Sequence, residues 1–297
     1  MEKLKYSSLV LLGGISYGLL STMIKLGFID GFTIQQLVGG EYVFGWLGLL
    51  IIVLLFNRVK VTRKQIITLM AVGITLSSTS ILYGFAVQEL SASIAVVCLF
   101  QFTWIGVLIE AVADKKMPSP DKLLSIAVLF VGTLLAGGVF EGTLKQFSLI
   151  GIMFGLLAAL SFALYIFASG KVETGVSPIM RSFLMATGAV IIISIFFRPT
   201  YLFDGSLQNG LLKYVLFLGF FGVVIPTICF AVGTPKVGTG LGTILGALEL
   251  PTAIIASVAL LHETVTGLQW LGIICIVIGI IMPQYVLLRR ERALLPG

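Results

Sequence analysis

Long apolar blocks alternate with short polar ones along the whole chain. Neither the two-residue alternation of a half-buried strand nor the one-sided stripe of a surface helix describes them. A block of about 18 or more apolar residues reads as a membrane-spanning helix. Ten such blocks are predicted, at roughly 6–26, 33–56, 65–87, 91–113, 121–140, 148–170, 178–198, 210–233, 237–261 and 266–288. Each is close to the ~20 residues that cross a ~30 Å hydrocarbon layer. The connectors are short and carry turn formers: Asp30-Gly31, Pro118-Ser119-Pro120, Glu141-Gly142 and Asp204-Gly205. None is long enough for a folded soluble domain. The expected fold class is an all-α membrane protein of ten transmembrane helices.

Composition sharpens this picture. Of 297 residues, 58% are apolar and only 11% charged, against about a quarter charged in soluble domains. The net charge of +6 would point to nucleic acid if the basic residues formed a surface, but they sit in the connectors. With the N-terminus placed in the cytoplasm, fifteen of the 19 basic residues fall on the cytoplasmic side. They are Lys3, Lys5, Arg58, Lys60, Arg63, Lys64, Lys115, Lys116, Lys122, Lys171, Arg181, Lys236, Arg289, Arg290 and Arg292, against Lys25, Lys145, Arg198 and Lys213 on the other. That asymmetry predicts both termini inside. The basic, apolar start resembles a signal peptide, but no small-residue cleavage site closes it, so it is read as an uncleaved first helix. Cys98, Cys229 and Cys275 stand singly in apolar blocks and read as buried free thiols. His262 is the only histidine, which speaks against a zinc site.

The halves 1–143 and 148–297 align with an offset of roughly 145 to 149 residues. Ser16-Tyr17-Gly18-Leu19 falls on Ser161-Phe162-Ala163-Leu164, Gly31-Phe32-Thr33 on Gly175-Val176-Ser177, Gln101 on Glu249, and Gly132 on Gly279. Five spans per half is an odd number, so the copies must run in opposite senses. That is the inverted repeat recurrent in secondary transporters.

On these features the chain resembles the drug/metabolite transporter superfamily, specifically its EamA-type branch. The better match is in the second half: Gly240-Leu241 to Pro251-Thr252, then Leu260-Leu261-His262-Glu263, then Gly267 to Gly279. In the first half, Thr103 stands near the family's proline and Asp114 near its glutamate. The resemblance implies alternating access around a central cavity between the repeats, with small metabolites, amino acids or drugs as cargo. It implies that the third and fourth helices of each repeat line the cavity. It also suggests a bacterial cytoplasmic membrane. Glu41 is a departure, since many members carry a basic residue there, so an anionic-substrate reading does not carry over.

Ionisable residues in mid-membrane cost about 2.5 to 3.5 kcal/mol on insertion scales and mark functional sites. Glu41 in span 2 and Glu249 in span 9 are the two principal cases. Glu41, Gly45 and Gly48 share a helix face, as do Gly242, Gly246 and Glu249. Such faces suit either close helix packing or a site. Pro226 and Pro251 free backbone carbonyls in spans 8 and 9. Ser78, Thr79 and Tyr83 of span 3, Gln101 and Trp104 of span 4, and the repeat-related Tyr17 and Tyr165 complete the candidate substrate site. For the hydroxyls, bonding to their own helix is the competing reading. Glu110, Lys25 and Arg181 lie near span ends, where reaching the interface is the expectation.

No GxxxxGK[ST] or HExxH motif occurs, so neither ATP drive within the chain nor zinc-protease chemistry is indicated. The expected partners are a small-molecule substrate, the lipid bilayer and protons, with no cofactor and no nucleic acid. Glu249 and Glu41 are the proton-coupling candidates. Two carboxylates with aromatic rings favour an organic cation. An amino acid, uptake of a quaternary amine, and a channel or scaffold role are the other readings.

Overall fold

The computed structural model describes residues 2–56, 59–90, 92–139 and 148–293. Arg58, Lys145 and the Glu141-Gly142 turn lie outside the described residues, as do the side chains of Arg289, Arg290 and Arg292. The first half contains α1 (Glu2–Ile29), α2 (Ile34–Phe56), α3 (Arg63–Glu89), α4 (Ala92–Phe100), α5 (Phe102–Asp114) and α6 (Pro120–Ala136). The second contains α7 (Leu149–Lys171), α8 (Pro178–Phe196), α9 (Leu212–Leu218), α10 (Ile225–Val237), α11 (Thr239–Gly246), α12 (Glu249–Leu261) and α13 (Gly267–Ala293). Among the described residues there is no strand.

Nine helical stretches among the described residues are long and apolar enough to cross a membrane. The predicted block at 121–140 appears as α6, 17 residues, at the lower end of the spanning range. The predicted blocks at 91–113, 210–233 and 237–261 are composite. They are α4 with α5, a run from Leu207 to Val237 that includes a kink at Asn209-Gly210, α9, one π-helical turn and α10, and α11 with α12.

Local chemistry sets the helix boundaries. Thr62 and Gln65 form a reciprocal capping box at the start of α3. The Ser148 hydroxyl accepts from Gly151 N at 3.2 Å to open α7. Pro120 and Pro178 occupy first-turn positions of α6 and α8, where no backbone donor is needed. After α1, Gly31 takes φ +88°, a conformation that a Cβ disfavours.

The described connectors reverse the chain, and side chains tie the resulting ends together. At one end, Lys25 pairs with Glu263 at 2.8 Å, Lys213 with Asp30 at 3.1 Å, and Gln36 Nε2 donates to Ser206 Oγ at 2.9 Å. At the other, Lys171 pairs with Asp114 at 2.7 Å, and Lys236 lies 5.8 Å from the Tyr6 ring. This second end gathers the connectors bearing Lys60, Arg63, Lys64, Lys115, Lys116 and Lys122, and is called the basic end below.

The halves do not sit side by side as two closed bundles. Packing between them is reciprocal: α3 lies on α7 and α8, while α1 and α2 lie on the α9–α10 run. Likewise α1 crosses α11 and α12, while α7 crosses α4 and α5. Two equivalent pairs meet each other, α2 with α8 and α6 with α13, and the two composite helices meet through α5 and α11. Glycines permit the close crossings. A Cβ on Gly73 would meet the Met185 carbonyl, and one on Gly188 the Met70 carbonyl. Large apolar side chains such as Ile51, Leu54, Leu55, Ile195, Phe196 and Ile281 face outward, as a lipid-facing surface requires.

Candidate functional site

Two interrupted helices organise the centre. In the second half, Pro251 has no N–H to give to the Ala247 carbonyl. The backbone therefore tightens at Ala247 and Leu248, which donate to Ile244 O and Leu245 O at 3.2 Å each. The helix restarts as α12, with Glu249 as its first residue. At the corresponding break in the first half, between α4 and α5, no proline is present. There Gln101 N turns to Cys98 O at 3.3 Å, and the Gln101 side chain supplies the missing donor to Val97 O at 2.7 Å. The Gln101 amide oxygen accepts from Trp104 Nε1, also at 2.7 Å.

Around the Glu249 break lies an aromatic cluster drawn from both halves. Tyr17 of α1 meets Phe162 of α7 at 5.6 Å between ring centroids and Phe230 of α10 at 6.1 Å. Phe102 meets Phe162 at 4.8 Å, and Tyr165 meets Phe162 at 6.1 Å and Phe230 at 6.3 Å. The Glu249 carboxyl is within electrostatic reach of the Tyr17 and Tyr83 phenols. The Tyr17 and Tyr165 hydroxyls are buried and lie within reach of each other. The centre thus offers aromatic faces, one carboxyl and two buried phenols. Phe102, Phe162 and Phe230 are absent from the sequence-based candidates. Single phenylalanines in apolar blocks carry no signal that separates them from packing.

Glu41 is 7% exposed and stands on α2 against the π-helical turn Gly219–Val224. A Cβ on Gly222 would sit 2.5 Å from Glu41 Oε1. That turn precedes Pro226, whose missing N–H it accommodates. Ser16 Oγ donates to the Phe221 carbonyl of the same turn at 2.5 Å. Tyr42, next to Glu41, lies within electrostatic reach of Tyr17 and bonds Ser80 Oγ at 2.8 Å. Glu41 is thus linked to the aromatic centre through Tyr42.

The other candidates are dispersed. Thr79 donates to its own helix at Thr75 O, 2.9 Å, and Ser78 is half-buried on α3. Trp104 is 38% exposed and shares an apolar outer stripe with Leu108 and Val112. Thr103, Gly106 and Val107 face inward instead, with Gly106 against Thr243 of α11. Gly45 packs on Val223 and Gly48 on Val224, while Gly242 and Gly246 pack on Thr234 and Phe102. The two small-residue faces are therefore crossing surfaces.

Three expectations are corrected. Arg181 does not reach the interface: it is 1% exposed, with Nη1 donating to Ala231 O at 3.0 Å and Nη2 to Ser169 O at 2.6 Å. The Ala231 carbonyl is the one Pro235 cannot serve, and Ser169 is in the last turn of α7, so both need an outside donor. Glu110 is not a free interfacial group. It pairs with Lys122 and accepts from Gly240 N at 2.9 Å and Thr239 Oγ1 at 3.2 Å, holding the start of α11 beside a cavity of about 280 Å³. Cys98 and Cys229 are buried as expected, but Cys275 is half-buried.

Residues 149–283 match the EamA-like transporter family model. That segment is similar to a family of transporters within the drug/metabolite transporter superfamily. A search of curated proteins returns no match. A solved crystal structure superposes over 96% of this chain and 99% of its own, with a TM-score of 0.74 at 19% identity. That likeness is one of fold, and it extends across the first half, which the family match leaves out. Members of that family transport small solutes across membranes, and the nine long apolar helices among the described residues are those of a multi-pass membrane protein. The Glu249 break lies within the matched segment and the Gln101 break outside it.

Proposed function

We propose that the chain is a secondary transporter that moves a small organic cation by alternating access between two inverted five-helix repeats, 1–143 and 148–297. The observation that carries this reading is Glu249 at a helix break, its carboxyl within electrostatic reach of the Tyr17 and Tyr83 phenols, beside rings supplied by both halves. Rings and a carboxylate together recognise an ammonium by cation–π attraction and charge, and broken helices at a repeat interface are where such carriers bind. Arg181, the buried cation nearby, is committed to two backbone carbonyls. That favours a cation over an amino acid, whose carboxylate would need a counter-charge. The reciprocal packing of the halves supports the inverted repeat, with α6 as the tenth, short span. The basic end faces the cytoplasm on the positive-inside rule, with both termini there, in the cytoplasmic membrane.

Glu249 is the proton-coupling residue in this reading, and Glu41, against the π turn, is the second. Substrate displaces the proton from the Glu249 carboxyl in one orientation, and the proton returns in the other. The test is counterflow in proteoliposomes, with labelled quaternary and tertiary amines and neutral analogues. Saturable exchange of the amines with proton movement, lost in Glu249→Gln, is the expected result. Unsaturable flux would make the chain a channel. No flux of any amine through folded protein would overturn the cation reading.

A further inference from the structure

Two ion pairs stand out once the halves are compared. Lys25, near the end of α1, meets Glu263 just after α12 at 2.8 Å. Lys171, the last residue of α7, meets Asp114, the last residue of α5, at 2.7 Å. The helices α1 and α7 open their respective halves, and α5 and α12 are the second segments of the two interrupted helices. Both pairs therefore join the first helix of one half to the end of the broken helix of the other. The lysines are 146 positions apart and the carboxylates 149, within the offset that aligns the halves. Each carboxylate adjoins a non-glycine residue in the left-handed region, Lys115 at φ 51° and His262 at φ 54°. It precedes that residue in the first half and follows it in the second. The pairs lie at opposite ends of the molecule. Their exposures match, 51% and 46% for one and 42% and 40% for the other.

We propose that Lys25–Glu263 and Lys171–Asp114 are matched latches, one closing each end, and that opening an end breaks its own latch and leaves the other intact. This rests on the alternating-access reading above. The crossings beneath the latches supply the fulcrum. Gly18 of α1 sits against the Glu249 carbonyl and Thr252, and Phe162 of α7 sits against Phe102. Helix ends beyond those crossings can part while the crossings hold. Half-exposed ion pairs suit this role, because such a pair shifts an equilibrium only about 2- to 5-fold. A latch of that strength biases a carrier without locking it. Neighbouring groups differ between ends: Ser257 also donates to Glu263, whereas Glu110, Lys116 and Lys122 line the cavity beside Asp114.

The test measures distances across both ends of the full chain in lipid nanodiscs by electron–electron resonance of spin labels. Cys98, Cys229 and Cys275 are replaced by serine. Labels replace Phe28 and Leu260 across one end, and Val112 and Thr174 across the basic end, all exposed positions. The parent is expected to show a short and a long distance at each end. Lys25→Gln should raise the long-distance fraction about 2- to 5-fold at the Phe28–Leu260 end and lower it at the basic end. Lys171→Gln should do the reverse. The exchanged pair Lys25→Glu with Glu263→Lys should restore the parent distribution. Unchanged fractions, or variants that open both ends together, would overturn the latches while leaving alternation standing. A parent with one distance at each end, with or without amine, would remove alternating access itself and the latches with it.

Discussion

The two interrupted helices occupy equivalent places in the two halves and are built by different means. At Gln101 the interruption is sealed: the side chain that follows the break bonds the carbonyl the break releases, and its oxygen is occupied by Trp104. At Ala247–Leu248 the interruption is left open by Pro251, and the residue that begins the new helix is an acid within electrostatic reach of two phenols. Repeat symmetry thus supplies two weak points in the membrane interior, and chemistry distinguishes them. On the proposed reading, one is a structural joint and the other the substrate site.

The sharpest way to break this comparison is to neutralise the acid. Glu249→Gln is expected to lower amine transport about 10- to 100-fold, the weight of interactions with a charged group, with no loss of thermal stability in detergent. If instead the protein loses stability and keeps transport, the two breaks are alike. Next in size, Arg181→Leu leaves the Ala231 and Ser169 carbonyls without donors at about 1–3 kcal/mol each. A clear drop in melting temperature should follow, partly rescued by Arg181→Lys. Tyr17→Leu should raise the apparent Kd for a quaternary amine about 5- to 30-fold, the range of desolvated cation–π contacts, and Tyr17→Phe should retain most of the affinity. Gln101→Leu should cost about 1–2 kcal/mol of stability from the unpaired Val97 carbonyl and leave transport within about 2-fold.

The smallest effect concerns the ends. The Lys25 ammonium, with Ser257, holds the Glu263 carboxyl below its usual range. The Tyr214 phenol and then Lys213 do the same for Asp30. A carboxylate whose pKa is depressed by folding contributes fully above its ordinary value near ~4 and loses that contribution as pH falls through the lower folded value. Acidification below ~4 should therefore loosen the Lys25 end, read as a longer Phe28–Leu260 distance. High salt should loosen it too, since the pair is half exposed.

Much of the architecture was legible along the chain because lipid leaves so few options. Every backbone group must be paired within its own segment, so apolar runs of spanning length become helices. Asp30-Gly31 and Asp204-Gly205 mark turns where the backbone demands positive φ, and both glycines adopt it. Pro226 and Pro251 announced distortions, and each lies at one, a π turn before Pro226 and a break before Pro251. Glu249 was legible as a site candidate because an acid in an apolar run has no cheap explanation. The break at Gln101 was not, since a glutamine leaves no mark comparable to proline.

Arg181 shows where reading along the chain stops. Near a span end, an arginine's default is to extend toward water, and nothing in positions 178–196 says otherwise. Only the arrival of Ala231 from α10 and Ser169 from α7, each with a carbonyl lacking a donor, turns it inward. The same holds for Glu110, captured by Gly240 and Lys122, and for the rings of Phe102, Phe162 and Phe230, which lie far apart in sequence. Periodicity and transfer free energy are local sums, so the sequence by itself determined the spans, their alternation and the acids within them. Which side chains meet depends on how α1 crosses α12 and α7 crosses α5, and those crossings are decided by packing over the whole bundle. The aromatic centre and the two matched ion pairs therefore belong to the tertiary structure.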